Sequence, residues 1–143
     1  MIDIEAYLSK PYWIIDILPK QVPANADGQY FAIEKYFLNS PRVDAIYQQF
    51  ADVILKLNCY YDMLVCVVDD EEWVENPAPE NLTQMVLNRK PLNIVLKSGQ
   101  AMIAITGDEH YFTLYNPDKE ILELITTLAS AEGLHVWKPE NIS

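Results

Sequence analysis

The run LNIVLKSGQAMIAITGDEHYFTLYNPDKEILELITTLASAE, residues 92–132, reads in twos as far as Tyr115 and in threes and fours from Ile121. Leu92, Ile94 and Leu96 alternate with Asn93, Val95 and Lys97, the pattern of a strand with one buried face. Ser98 and Gly99 then turn the chain. Ala101 to Ile105 is apolar at every position, which suits the middle strand of three, covered on both faces. Gly107 and Asp108 read as the centre of a tight type II′ hairpin, where glycine supplies the positive φ that other residues resist. In the third strand His110, Phe112 and Leu114 share one face, with Tyr111, Thr113 and Tyr115 on the other.

The same run predicts the start and stop of a helix. Asn116 is the expected N-cap and Pro117 the first helical residue, with Asp118 and Glu120 complementing the positive end of the dipole. Ile121, Leu124, Ile125 and Leu128 recur at helical spacing, and Gly133 supplies a left-handed terminator. Leu134 to Trp137 then returns as a short strand.

Working outward, Ile4, Tyr7 and Leu8 suggest a short helix capped by Asp3 and closed by Pro11. Tyr12 to Leu18 reads as a strand with Trp13, Ile15 and Ile17 on one face. Asp16 interrupts the otherwise apolar second face, and is expected to be a solvated or hydrogen-bonded structural carboxylate. Pro19 to Gly28 has loop chemistry. Tyr30, Phe31, Ile33, Tyr36, Phe37 and Leu38 predict an aromatic-rich helix that turns its stripe to the core.

Ser40 and Pro41 open the most regular helix, running to Asn58, with Val43, Ile46, Tyr47, Phe50, Val53, Ile54 and Leu57 on its buried face. Met63 to Val68 reads as a buried strand. Asp69 to Glu80 reads as an acidic loop, and Leu82, Met85 and Val86 as a short helix that stops before Pro91. Together these elements predict one α+β domain over residues 1–143. Its sheet is mixed or mostly antiparallel, includes a three-strand meander at about residues 92–115, and has helices packed against it.

At 143 residues with 50% hydrophobic side chains, the chain can bury a substantial core. Twenty-one acids against ten bases give a net charge of −11, which repels nucleic acid and anionic membrane and favours a basic or neutral partner. No apolar run approaches the roughly 20 residues of a membrane span, and Asp3 and Glu5 stand where a secretory signal carries positive charge, so a cytoplasmic protein is expected. Cys59 and Cys66 then read as reduced, unpaired thiols.

Catalytic signatures are scarce. Four isolated glycines make neither a P-loop nor a dinucleotide fingerprint. His110 and His135 have no zinc-type partner spacing and read as structural residues within strands. No cofactor is expected. The remaining cluster is Asp69, Asp70, Glu71 and Glu72, followed by Trp73 and Glu75, in a segment with no basic residue between Lys56 and Arg89. A tryptophan ringed by carboxylates suits a protein-docking patch, since buried aromatics dominate binding energy and rim charges steer approach; its competing role is to fold back onto the core.

The leading functional expectation is therefore a small binding or regulatory module that docks a protein partner, in the manner of an acidic inhibitor or immunity protein, at Asp69, Asp70, Glu71, Glu72, Trp73 and Glu75. Its rival is a metal-assisted hydrolase built on residues 69–72 with Asp16 or His110. Nine tyrosines and three tryptophans also suggest self-association as a homo-oligomer.

Overall fold

The computed structural model describes residues 2–97 and 100–140. Strands β1 (Tyr12–Asp16), β2 (Met63–Val67), β3 (Trp73–Glu75), β4 (Leu92–Leu96), β5 (Ala101–Ile105), β6 (Tyr111–Tyr115) and β7 (His135–Trp137) form one sheet, in the order β3-β2-β4-β5-β6-β1-β7. Every neighbouring pair is antiparallel. The fold is α+β, with the meander β4-β5-β6 at the centre of the sheet.

Helices α1 (Ile4–Leu8), α2 (Tyr30–Asn39), α3 (Arg42–Asn58), α4 (Pro79–Leu87) and α5 (Lys119–Ala131) complete the chain. The sheet pleat sorts the strand side chains. Ile15, Val65, Ile94, Ile103 and Leu114 join one core with Phe50, Ile54 and Leu57 of α3, Leu82 and Val86 of α4, and Ile121 and Ile125 of α5. Buried Ile14, Cys66, Val95 and Met102 belong to the opposite face and lie outside that core. Helix α3 is the keystone of the helical layer: it touches α2, α4 and α5, and its Phe50 stacks on Phe112 of β6 at 4.0 Å between ring centroids.

Several boundaries differ from the sequence expectation, each for a local reason. The 69–80 segment is not loop throughout, because β3 pairs Trp73, Val74 and Glu75 with β2 before α4 begins at Pro79. The β5–β6 connection spans residues 106–110 rather than two residues, so His110 precedes its strand. Gly107 still has φ +90°, and a side chain there would meet the Arg89 carbonyl at 2.1 Å. The cap of α5 is Asp118, whose carboxylate accepts from the Ile121 N–H at 2.8 Å, while Asn116 adopts φ +56° and bonds the Gln100 carbonyl. Helix α3 starts at Arg42, with no side-chain cap bond from its N-cap Pro41. The Ser98–Gly99 turn lies outside the described residues.

The largest departure is α2. None of its residues is buried, and Phe31 and Tyr36 are 79% and 59% exposed. Only part of its apolar surface, chiefly Phe37, leans on the core. Its aromatic residues surround the helix instead of lining one stripe, so the helix cannot bury them all against a single neighbour.

Candidate functional site

Strand β1 is an interior strand, flanked by β6 and β7, and its last residue Asp16 sits opposite Tyr111 on one side and His135 on the other. That position leaves the carboxylate 2% exposed. A buried carboxylate must be met by donors, and Asp16 Oδ1 has two: the Ile17 N–H at 2.7 Å and His110 Nδ1 at 2.8 Å.

His110 is held from both sides along the 106–110 loop. Arg89 Nε donates to the Gly107 carbonyl at 2.7 Å, and the Tyr47 hydroxyl donates to the Glu109 carbonyl at 2.6 Å. These bonds present a 2% exposed imidazole between β1 and α2. Its Nε2 lies 2.8 Å from Tyr30 Oη and 2.9 Å from Glu34 Oε2. Tyr30 and Glu34 are four apart on α2 and therefore share a helical face, with the hydroxyl donating to the carboxylate at 3.4 Å.

The electrostatics follow from this sandwich. Burial pulls the His110 pKa down, but the Asp16 bond and charge, together with the Glu34 charge, more than offset it and leave it above the ordinary value. Charged imidazole donates from both nitrogens, Nδ1 to Asp16 and Nε2 to the Tyr30 hydroxyl, with the Glu34 carboxylate alongside. Partial burial and the nearby Glu34 and Asp16 carboxylates push the Tyr30 phenol up to about 12. A phenol so raised is a poor nucleophile, and the carboxylates on both sides of His110 favour its charged form, which has no lone pair to act as a general base. The constellation is suited to holding charge and orienting a bound group.

Beyond it lies an open cavity of about 590 Å³ between α2 and the 17–29 connection, with Tyr30, Glu34 and His110 at its polar end. Most of its wall is apolar, including Ile17, Val22, Phe31, Ile33 and Phe37. The connection is pinned at its start, where Trp137 Nε1 donates to the Leu18 carbonyl at 3.1 Å and the Glu140 N–H donates to Gln21 Oε1 at 2.8 Å. A second hollow of about 400 Å³ opens beside it on the sheet face opposite the hydrophobic core, lined by Tyr12, Tyr111, Tyr115 and Trp137. Asp16 borders this second hollow, His110 the first, and Tyr30 both.

The residues singled out in the sequence lie elsewhere. Asp69, Asp70, Glu71 and Glu72 are exposed on the turn between β2 and β3, with Glu71 at φ +55°. Trp73 is half-buried on β3 opposite Cys66, and Glu75 is exposed and pairs with Lys97 at 3.1 Å. All six belong to the β3 edge of the sheet, whereas the cavity adjoins β1 near the other edge. Among the described residues no group of three or more His, Cys, Asp or Glu side chains is placed to hold a metal. Neither cysteine lines either hollow.

Asp16 and His110 were each conspicuous in sequence, yet nothing local linked two residues 94 apart. The missed members, Tyr30 and Glu34, carried one signal: a phenol and a carboxylate at helical spacing on a helix whose aromatics exceed what one buried face can take. No family model, no curated protein and no solved structure matches the chain.

Proposed function

We propose that the chain is a small, acidic, cytoplasmic binding module that docks a protein partner, acting as an inhibitor or immunity protein does by covering a surface of that partner. The observation that carries this reading is α2, a ten-residue helix with no buried residue and with Phe31, Ile33 and Tyr36 presented to solvent. Large aromatics clustered on one exposed element are costly to leave in water and are the side chains that dominate protein interfaces. Latching α2 to the sheet through His110 fixes the helix before any partner arrives, which reduces the ordering that association requires.

The net charge of −11 selects for basic partners and speeds their approach. Asp69, Asp70, Glu71, Glu72, Trp73 and Glu75 contribute to that field from the sheet edge. The test is a pair of double variants. Phe31→Ser with Tyr36→Ser should leave the melting temperature nearly unchanged, because both side chains are exposed, and should abolish a complex recovered by photo-crosslinking from position 33. Glu71→Gln with Glu72→Gln should slow association and reduce its salt dependence. A crosslinked complex that survives the α2 double variant would refute the docking face.

A further inference from the structure

We propose that the cavity between α2 and the 17–29 connection is a binding site for a small amphipathic amine, an apolar body bearing one ammonium group that sits on Glu34. This goes beyond the docking reading: Phe31 and Ile33 serve both surfaces, whereas Tyr36 takes no part in the cavity wall and so separates the two readings in the test.

Size comes first. About 590 Å³ falls within the roughly 300–1,000 Å³ of small-molecule sites, and the lining is mainly apolar with polar groups gathered at one end. An apolar body is therefore accommodated, and the choice of head group rests on charge. The wall contains no lysine or arginine. The ionisable chain at its polar end is Asp16, His110 and Glu34, in that order, joined at 2.8 and 2.9 Å. Two carboxylates around one imidazolium sum to −1, and around a neutral imidazole to −2. An anionic head group is repelled in either state.

The second oxygen of Glu34 selects a cation over a neutral group. His110 Nε2 and the Tyr30 hydroxyl both engage Oε2, and Oε1 takes no hydrogen bond or ion pair among the described residues. The Glu34 side chain keeps 26% exposure, so a ligand that fills the cavity takes water from this carboxylate. A wholly apolar ligand covering the cavity strips that water and returns nothing. An ammonium group replaces it with a charge-assisted hydrogen bond. Tyr30 and Phe31, whose rings meet edge to face at 5.3 Å, add aromatic surface that attracts a cation and accepts an apolar chain.

The experiment is calorimetric titration of the full chain with hexylammonium and octylammonium, using octanol and octanoate as the matched neutral and anionic probes. Each added methylene should tighten ammonium binding roughly fourfold, the equivalent of about 0.8 kcal/mol. Octylammonium should bind at least tenfold more tightly than octanoate. Glu34→Gln keeps an acceptor for His110 and should weaken octylammonium about tenfold while leaving octanol within twofold. Ala32→Leu, which fills exposed cavity wall without touching the carboxylate, should weaken octylammonium more than hexylammonium. Tyr36→Ser should change none of these affinities, although it weakens the docking face. Octanoate binding as tightly as octylammonium, affinity independent of chain length, or an unchanged ammonium affinity in Glu34→Gln would each overturn the assignment.

Discussion

His110 Nδ1 lies 2.8 Å from Asp16 Oδ1, joining residues 94 apart in sequence, and the opposite nitrogen of the same ring reaches α2. The pair gives the fold a pH dependence whose sign is fixed. The folded-state pKa of His110 stands above its ordinary 6.5, with burial opposing and the Asp16 and Glu34 carboxylates prevailing. Its stabilising contribution is therefore complete below about pH 6.5 and is lost as pH rises through the raised value. Urea unfolding at a series of pH values should show stability falling above that point, and Asp16→Asn should flatten the fall. A wild-type profile that climbs over the same range would contradict the ion pair.

Phe50 is the central aromatic of the helical layer, fully buried and stacked on Phe112 with Tyr47 at its edge. Phe50→Ala should cost about 3–5 kcal/mol in chemical denaturation, because the two remaining rings, Tyr47 and Phe112, cannot close over the space left behind. A loss below about 1 kcal/mol would show that the layer repacks.

Gly107 combines φ +90° with a backbone carbonyl where a methyl group would stand. Gly107→Ala should therefore destabilise by well over the roughly 1 kcal/mol of an ordinary glycine replacement. Because Arg89 holds the Gly107 carbonyl three residues before His110, the substitution should also disturb the His110 ring resonances in NMR.

Asp118 caps α5 alone, through its bond to the Ile121 N–H. Asp118→Ala should lose about 0.5–2 kcal/mol of stability by thermal or chemical melting.

Cys59 is exposed and Cys66 buried, and neither is paired. Burial, aided by Asp70 and Glu71, pushes the Cys66 thiol up. A thiol reagent should modify Cys59 quickly in the native protein and Cys66 only slowly, since the thiolate is the reacting form. Two thiols should titrate on the unfolded, unreduced chain.

The meander and its following helix were legible because each residue's environment there is local: alternation sets β4 and β6, an unbroken apolar run sets β5, and a three-and-four pattern sets α5. Helix α3 was legible for the same reason. The β3 strand was not, since three residues are too few for a period, and Trp73-Val74-Glu75 becomes a strand only because β2 offers an edge. The candidate site was half legible. Asp16 drew notice as a carboxylate on an apolar face, but its partner is chosen by the β1–β6 register, which no local pattern encodes. The aromatic richness of α2 was visible, while its direction was not: a stripe and a girdle of aromatics differ by which neighbours the tertiary fold supplies.

The short β3 has a consequence for how copies of this chain behave when crowded. A sheet edge is a template on which another strand can add, and long apolar edges seed fibrous assembly. Here the β3 edge is three residues long, its exposed Val74 lies between Trp73 and Glu75, and Asp69 to Glu72 lead directly into it. An incoming copy would gain few ladder bonds while bringing a second run of carboxylates alongside the first. Charge at this rim is therefore expected to oppose edge-to-edge assembly, a task for the acidic run that requires no partner: neutralising Asp70, Glu71 and Glu72 together should convert a clear concentrated solution into one that scatters light.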